Sequence, residues 1–424
     1  MKIFKIFFLL IVLVSLCLQS CVKDTCEGEL TYSKSTPIYV TVDEIRKDIQ
    51  VEAPRALKQP GKIYFYQNYI LLNEFREGLH VIDNQDPANP QKIAFIKIPG
   101  NMDMAVKDNI LYADNYIDLL SIDISDPTNA LLKTRTEDVF PSFGLNEDLG
   151  YLIYYKTEVV TEIVDCDHPG WGGGSWMEDN VTFDSNISLS NGESALSGVS
   201  GQFSSTGQGG SMARFTLVDS YLYTVTDNGF NSFDISDAIN PNLTNNVNIG
   251  WGIETIYPFR NNLFIGSQNG MFIYGLDNPA VPSLRGQFQH ARACDPVVVK
   301  GDIAYVTLRG GTLCESFSNQ LDVIDISNLD NPSLLKTYQL DNPHGLSITN
   351  EDILYVCDGD SGLRVYNAED PLDLDQIHHK RNLPTYDVIA LANNVILVVG
   401  SNGLYQYNAT DTSDLKELSL IPIE

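Results

Sequence analysis

Along most of the chain, apolar residues come in short runs cut apart by Asn, Asp, Gly and Pro. Short runs rich in Ile, Val, Leu, Phe and Tyr predict β-strands rather than helices. No stretch beyond the N-terminal segment keeps a helical period for ~12 residues, apart from Val42 to Val51. One run recurs with a fixed ending: Gly78-Leu79-His80-Val81-Ile82-Asp83, Leu119-Leu120-Ser121-Ile122-Asp123, Phe230-Asn231-Ser232-Phe233-Asp234, Leu321-Asp322-Val323-Ile324-Asp325 and Leu363-Arg364-Val365-Tyr366-Asn367. Weaker copies end at Asp165, Gly275 and Asn408. Three residues on stands another Asx, as at Asp86, Asp126, Asp237, Asn328, Asp370 and Asp411, often followed by Pro. An Asx side chain caps the turning backbone and Pro presets φ, so each run ends in a specified turn.

The anchors are spaced 40, 42, 69, 41, 50, 42 and 41 residues apart. Upstream of each lies a second apolar run, such as Ile110-Leu111-Tyr112, Ile303-Ala304-Tyr305 or Ile353-Leu354-Tyr355, and before that a third, such as Val297-Val298-Val299. A fourth follows the anchor, as in Ile93-Ala94-Phe95-Ile96. Four strands in each ~40-residue unit, repeated, is the arithmetic of a β-propeller. The expectation is an all-β fold of eight four-stranded blades over residues 60–424, with an insertion at about 170–211. The alternative is seven blades, because the third unit has no clear fourth strand.

The run Leu321 to Pro332, with Leu119 to Pro127 and Gly362 to Pro371, resembles the LVIVD repeat of bacterial surface proteins. That resemblance implies a propeller-like fold and brings no catalytic residues with it.

The N-terminus carries an address. Lys2 and Lys5 precede an apolar run from Ile6 to Leu18. At ~1.5 Å per residue this run is too short to span a ~30 Å membrane core, so it reads as an export signal. It ends in Leu18-Gln19-Ser20-Cys21, which resembles the lipobox of bacterial lipoproteins, with Gln19 in place of the usual small residue. The resemblance implies a signal peptide over 1–20 and lipid on Cys21; the polar stretch that follows, without periodicity, reads as a tether, and 21–59 are expected to be the lipidated Cys and tether. Val22 in place of Asp favours the outer membrane, and Lys23-Asp24 resembles a surface-export tag. Which side of that membrane the protein faces is left open.

Composition narrows the partners. Lys and Arg total 27 against 55 Asp and Glu, a net charge of −28. Nucleic acid is excluded, since its backbone needs clustered cations. Of the seven cysteines, Cys294 and Cys314 flank a predicted hairpin and are expected to form a disulfide; the pairing of Cys26, Cys166 and Cys357 stays open.

Candidate chemistry is sparse. Asp358-Gly359-Asp360-Ser361-Gly362 resembles part of a calcium loop but lacks the downstream Glu, and reads as a hairpin turn. Trp171 and Trp176 lie in the Gly/Ser-rich insertion and read as surface-loop residues. His378-His379 beside Lys380 and Arg381 reads as a solvated strand. No nucleophile elbow or metal motif appears, and no cofactor is expected. Aligning the repeats places Asn101, Ser142, Met212, Glu254, Cys294, His344 and Tyr386 at equivalent strand entrances on one face. Trp251, Asp295 and Asp387 lie close by, and Arg309 is expected to overhang the same mouth. Trp251 and Tyr386 are candidates for stacking, and Glu254, Asp295, Arg309, His344 and Asp387 for polar contacts. The resulting expectation is a lipid-anchored propeller that binds a protein or glycan. A structural envelope scaffold and a propeller hydrolase or lyase with a central site are the alternatives.

Overall fold

The structure, a computed structural model, describes residues 27–165, 207–289, 296–310 and 319–424. They divide into two compact units. One contains 27–38 and 154–165; the other contains 39–153 and the described residues from 207 onward.

The larger unit is a ring of seven antiparallel meanders. Their first and last strands are Pro60–Tyr66 and Gln91–Lys97 (blade 1), Met104–Lys107 and Leu131–Thr136 (blade 2), Phe215–Val218 and Asn242–Asn248 (blade 3), Ile253–Phe259 and Ser283–Gln289 (blade 4), Val297–Lys300 and Ser333–Gln339 (blade 5), Leu346–Ile348 and Asp375–Lys380 (blade 6), and Thr385–Ala390 and Lys416–Pro422 (blade 7). The eight sequence units give eight sheets, and the third takes a different form. It supplies one long strand, Gly150–Asp165, which pairs with Glu27–Val40 and with Leu145–Asn146. The stretch expected to be a tether is therefore partly a strand. In the smaller unit, Thr31 hydrogen-bonds Thr161 and Ser35 hydrogen-bonds Thr157. The helical pattern from Val42 yields a single turn, Val42–Ile45, closed by a capping box between Thr41 and Glu44. Gln50–Glu52 then pairs with the outer strand of blade 1.

Three local devices recur among the blades. First, the anchor Asx accepts the N–H two residues on, at 2.8–3.0 Å from Asp83, Asp123, Asp234, Asp325, Asn367 and Asn408. The second Asx repeats this from Asp86, Asp126, Asp237, Asn328, Asp370 and Asp411. Second, the third strand opens on glycine at Gly78, Gly229, Gly270 and Gly403, and just ahead of it at Gly362; a Cβ at any of them would strike a carbonyl of the fourth strand. Gly270 also has φ +151°, where side chains are rare. Third, a register shift separates the third and fourth strands in all seven blades, for example between Val81 and Ile82.

The core lies between blades. Five apolar clusters link blades 1–3, 3–4, 4–6, 6–7 and finally 7 back to 1. Buried tyrosines of the second strands also reach the next blade's Asx turn, Tyr112 to the Ala238 carbonyl (2.9 Å) and Tyr223 to that of Pro279 (2.8 Å). Blade 7 is tied to blade 1 by reciprocal Asn84–Gln406 hydrogen bonds and by pairing of Ile423 with Leu57.

The centre of the ring is occupied. After the insertion, the chain re-enters beside the end of the first strand of blade 2, where the Gly207 N–H donates to the Val106 carbonyl. Gln208 and Gly209 pair antiparallel to the first strand of blade 1, and the Gln208 side chain reaches the Ala390 carbonyl of blade 7. Ser211 Oγ accepts the Leu346 N–H of blade 6, and the Met212 carbonyl accepts from Lys62. Residues 209–213 are buried. This axial segment then becomes the first strand of blade 3.

Candidate functional site

First strands all enter from one face, because neighbouring strands in a meander alternate in direction. At that mouth, among the described residues, six of the seven blades place an ionisable residue within two positions of the start of their first strand: Lys62, Asp103, Arg214, Glu254, His344 and Asp387. Blade 5 adds Arg309 from the end of its second strand, Ile303–Leu308. In a chain of net charge −28, this set holds three cations, three carboxyls and one imidazole.

The groups interact. Asp103 is buried and joins two blades: Oδ1 accepts the Met104 N–H, and Oδ2 accepts those of Arg214 and Phe215. Burial pushes its carboxyl above the ordinary range, while Lys62 and these donors pull it down. Glu254 is raised in the same way by burial, against the pull of its hydrogen bond with Gln268 and of the charges on Arg309, Arg214 and Lys62. The Arg309 guanidinium donates to Nδ1 of His344 at 2.6 Å. Burial, then this adjacent charge, drives His344 well below its ordinary pKa and keeps the imidazole neutral. Its ring packs edge-on to Tyr386 with centroids 5.5 Å apart. Asp387 is buried with its carboxylate against Gly345. Trp251 is 58% exposed on the loop entering blade 4.

Sequence reasoning thus named Glu254, Arg309, His344, Tyr386, Asp387 and Trp251, and the structure places all of them on or beside the mouth. Cys21, Asp295, Cys294 and Cys314 lie outside the described residues, as do Cys26, Cys166 and both insertion tryptophans. Asn101 is buried rather than presented: its amide donates to the Asp103 carbonyl and to Asp114 Oδ1. Met212 is buried in the axial segment. Lys62, Asp103 and Arg214 were missed. The available signal was a charge one to two positions from each predicted first strand.

Also missed was a cavity of about 120 Å³ at the mouth between blades 2 and 3. Its apolar wall includes Phe140, Phe143, Phe215 and Tyr116, and its polar side Arg76, Asp114, Arg214 and Asp227. Phe140 and Phe215 stack at 5.9 Å. Asp114 Oδ1 accepts three hydrogen bonds at 2.9 Å, from Asn101 Nδ2 and the N–H groups of Met102 and Asp103. Burial nevertheless raises its pKa to about 6. Arg214 pairs with Asp227 at 3.1 Å.

The Asp358 loop has a structural role. Asp358 is buried and accepts the N–H groups of Asp341 and Asn342 and the Arg364 guanidinium. Among the described residues, no cluster of His, Cys, Asp and Glu is arranged to hold a metal. His379 lies in the outer strand of blade 6 and contacts the Ser361 carbonyl at 2.8 Å.

The ring of four-stranded meanders defines a β-propeller. Three of its segments match the LVIVD repeat model, over residues 100–138, 209–249 and 291–339. No curated protein matches the sequence. Among solved structures, the chain is similar to a periplasmic gluconolactonase of Pseudomonas aeruginosa, with a TM-score of 0.53 and 9% identity over 86% of this chain and 96% of that one. A functionally unknown protein from Desulfotomaculum acetoxidans matches with a TM-score of 0.46 and 12% identity, covering 85% of this chain and 96% of that one. At these identities the likeness to the gluconolactonase speaks for the fold alone.

Proposed function

We propose that this chain is a lipid-anchored propeller of the outer membrane whose mouth binds a protein or glycan. The observation that supports it is the charge-balanced set from Lys62 to Asp387, gathered on one face of a strongly acidic chain. A merely structural ring has no need for a charge at nearly every first-strand entrance, where each group costs desolvation. The export signal and Cys21 support the anchor.

The test uses side chains whose replacement leaves the packing intact. His344 is buried, so its replacement would disturb packing; Trp251→Ala and Glu254→Gln are the better probes. Molecules that co-purify with the full chain are identified, and their recovery is compared across variants. Both substitutions should reduce recovery with little change in melting temperature. Unchanged recovery, together with loss from Asp126→Ala on the opposite face, would overturn the assignment. For the anchor, Cys21→Ala should abolish fatty-acid labelling; retained label refutes it.

One observation favours the hydrolase or lyase alternative. Asp114 lines a cavity, and a carboxyl with a pKa of about 6 is suited to general acid–base work near neutral pH. Turnover lost in Asp114→Asn, with binding retained, would establish it.

A further inference from the structure

The cavity between blades 2 and 3 has a built polar side and a built apolar side. On the polar side, the three donors at Asp114 Oδ1 fix the carboxyl in place. Oδ2 accepts no hydrogen bond from any described residue, and the carboxyl lines the cavity. Arg214 spends one N–H on Asp227, leaving guanidinium donors without a partner among the described residues. Acceptors and donors therefore face the same space. On the apolar side, Phe140 is held by its stack on Phe215, and Phe143 stands 41% exposed.

This mixture discriminates between ligand classes. An anion meets the carboxyls of Asp103, Asp114 and Asp227, and a cation meets the guanidinium groups of Arg76 and Arg214. An apolar ligand leaves Asp114 and Arg214 dehydrated without replacement partners, which costs more than its burial returns. A neutral ring with hydroxyls on its edge and C–H groups on its face meets neither penalty. Its hydroxyls donate to Asp114 and Asp227 and accept from Arg214, while its face lies on the aromatic wall. A volume of about 120 Å³ suits one small ring.

We propose that this cavity is a subsite for a single neutral sugar ring. The proposal rests on reading the mouth as a binding face and names the chemistry of one part of it.

Saturation-transfer NMR on the full chain, in a detergent without a sugar headgroup, tests it. The probes are methyl glycosides of glucose, galactose, mannose and N-acetylglucosamine, with methyl glucuronide, glucosamine and benzyl alcohol as charged and apolar controls. At least one neutral glycoside should receive saturation, and its affinity should fall about tenfold in Phe143→Ala. Asp114→Asn keeps an oxygen for the three donors but turns the other atom into a donor, and should also weaken binding. Binding of a control alone, or of no probe, overturns the proposal. So does neutral-glycoside binding that survives both variants; if that binding is instead lost in Trp251→Ala, the mouth reading stands while the subsite fails.

Discussion

Replacing Asp114 by Asn should make the protein more stable at neutral pH, although it removes a charge that accepts three hydrogen bonds. The folded carboxyl rises from 3.8 to about 6 because burial outweighs those bonds. The folded state thus holds the proton more tightly than the unfolded chain. The stability this group contributes is fully present below pH ~4 and is lost as pH rises through about 6. That rise corresponds to about 3 kcal/mol at ~1.36 kcal/mol per pKa unit. The side chain keeps partial contact with water, and discounting by half leaves about 1.5 kcal/mol. The Asn amide preserves an acceptor for all three donors and has no charge to desolvate. At ~2.1 cal/mol/K per residue, the gain amounts to a melting temperature about 2 °C higher at pH 7 for a chain of this size. Thermal unfolding of both proteins between pH 3 and 8 should show no difference at the acid end, divergence between about pH 4 and 6, and a constant gap above. A variant that is less stable at pH 7, or a gap independent of pH, would refute the reasoning.

Other expectations follow from the blade devices. Gly270→Ala should destabilise by about 3 kcal/mol or more, from its positive φ and the clash with the Phe288 carbonyl, as read by urea unfolding. A smaller loss, of about 1 kcal/mol, is expected for Tyr112→Phe, which removes the tie to Ala238 and leaves that carbonyl short of a donor. Asp103→Ala strands three backbone donors and removes the carboxyl that faces the Lys62 charge, so a loss of about 3–5 kcal/mol should appear as a lowered melting temperature. Peptide mapping under non-reducing conditions should recover Cys294 linked to Cys314; two free thiols would count against the pair.

The ring was legible because its specification is local. An anchor Asx acts on the N–H two residues away, so Asp83 or Asp325 can be recognised without knowing what lies beside it in space. Second-strand tyrosines such as Tyr112 are part of the same short-range pattern. What escaped was long-range. Glu27–Val40 is polar and carries no strong alternation, and only its partner, more than a hundred residues away, makes it a strand. Asp114 looked like any turn acid near a strand end, and its raised pKa depends on the chain folding over it. Lys62 and Arg214 each stand beside a predicted first strand, but what they meet is not local. Their meeting with Glu254 at the mouth is set by ring closure, which no single repeat encodes.

The segment from Gly207 to Arg214 bears on the order of assembly. It is synthesised after blades 1 and 2 and before the other five. Its pairing with the inner strand of blade 1 is therefore available while blades 3 to 7 are still being made. A chain that makes this pairing first would close its later blades around a strand already in place, rather than around an empty channel that must be threaded afterwards. The insertion sets the length of the excursion between blade 2 and this strand. Closure entropy grows only with the logarithm of a connection's length, so a long path between two blades weighs little against the ring.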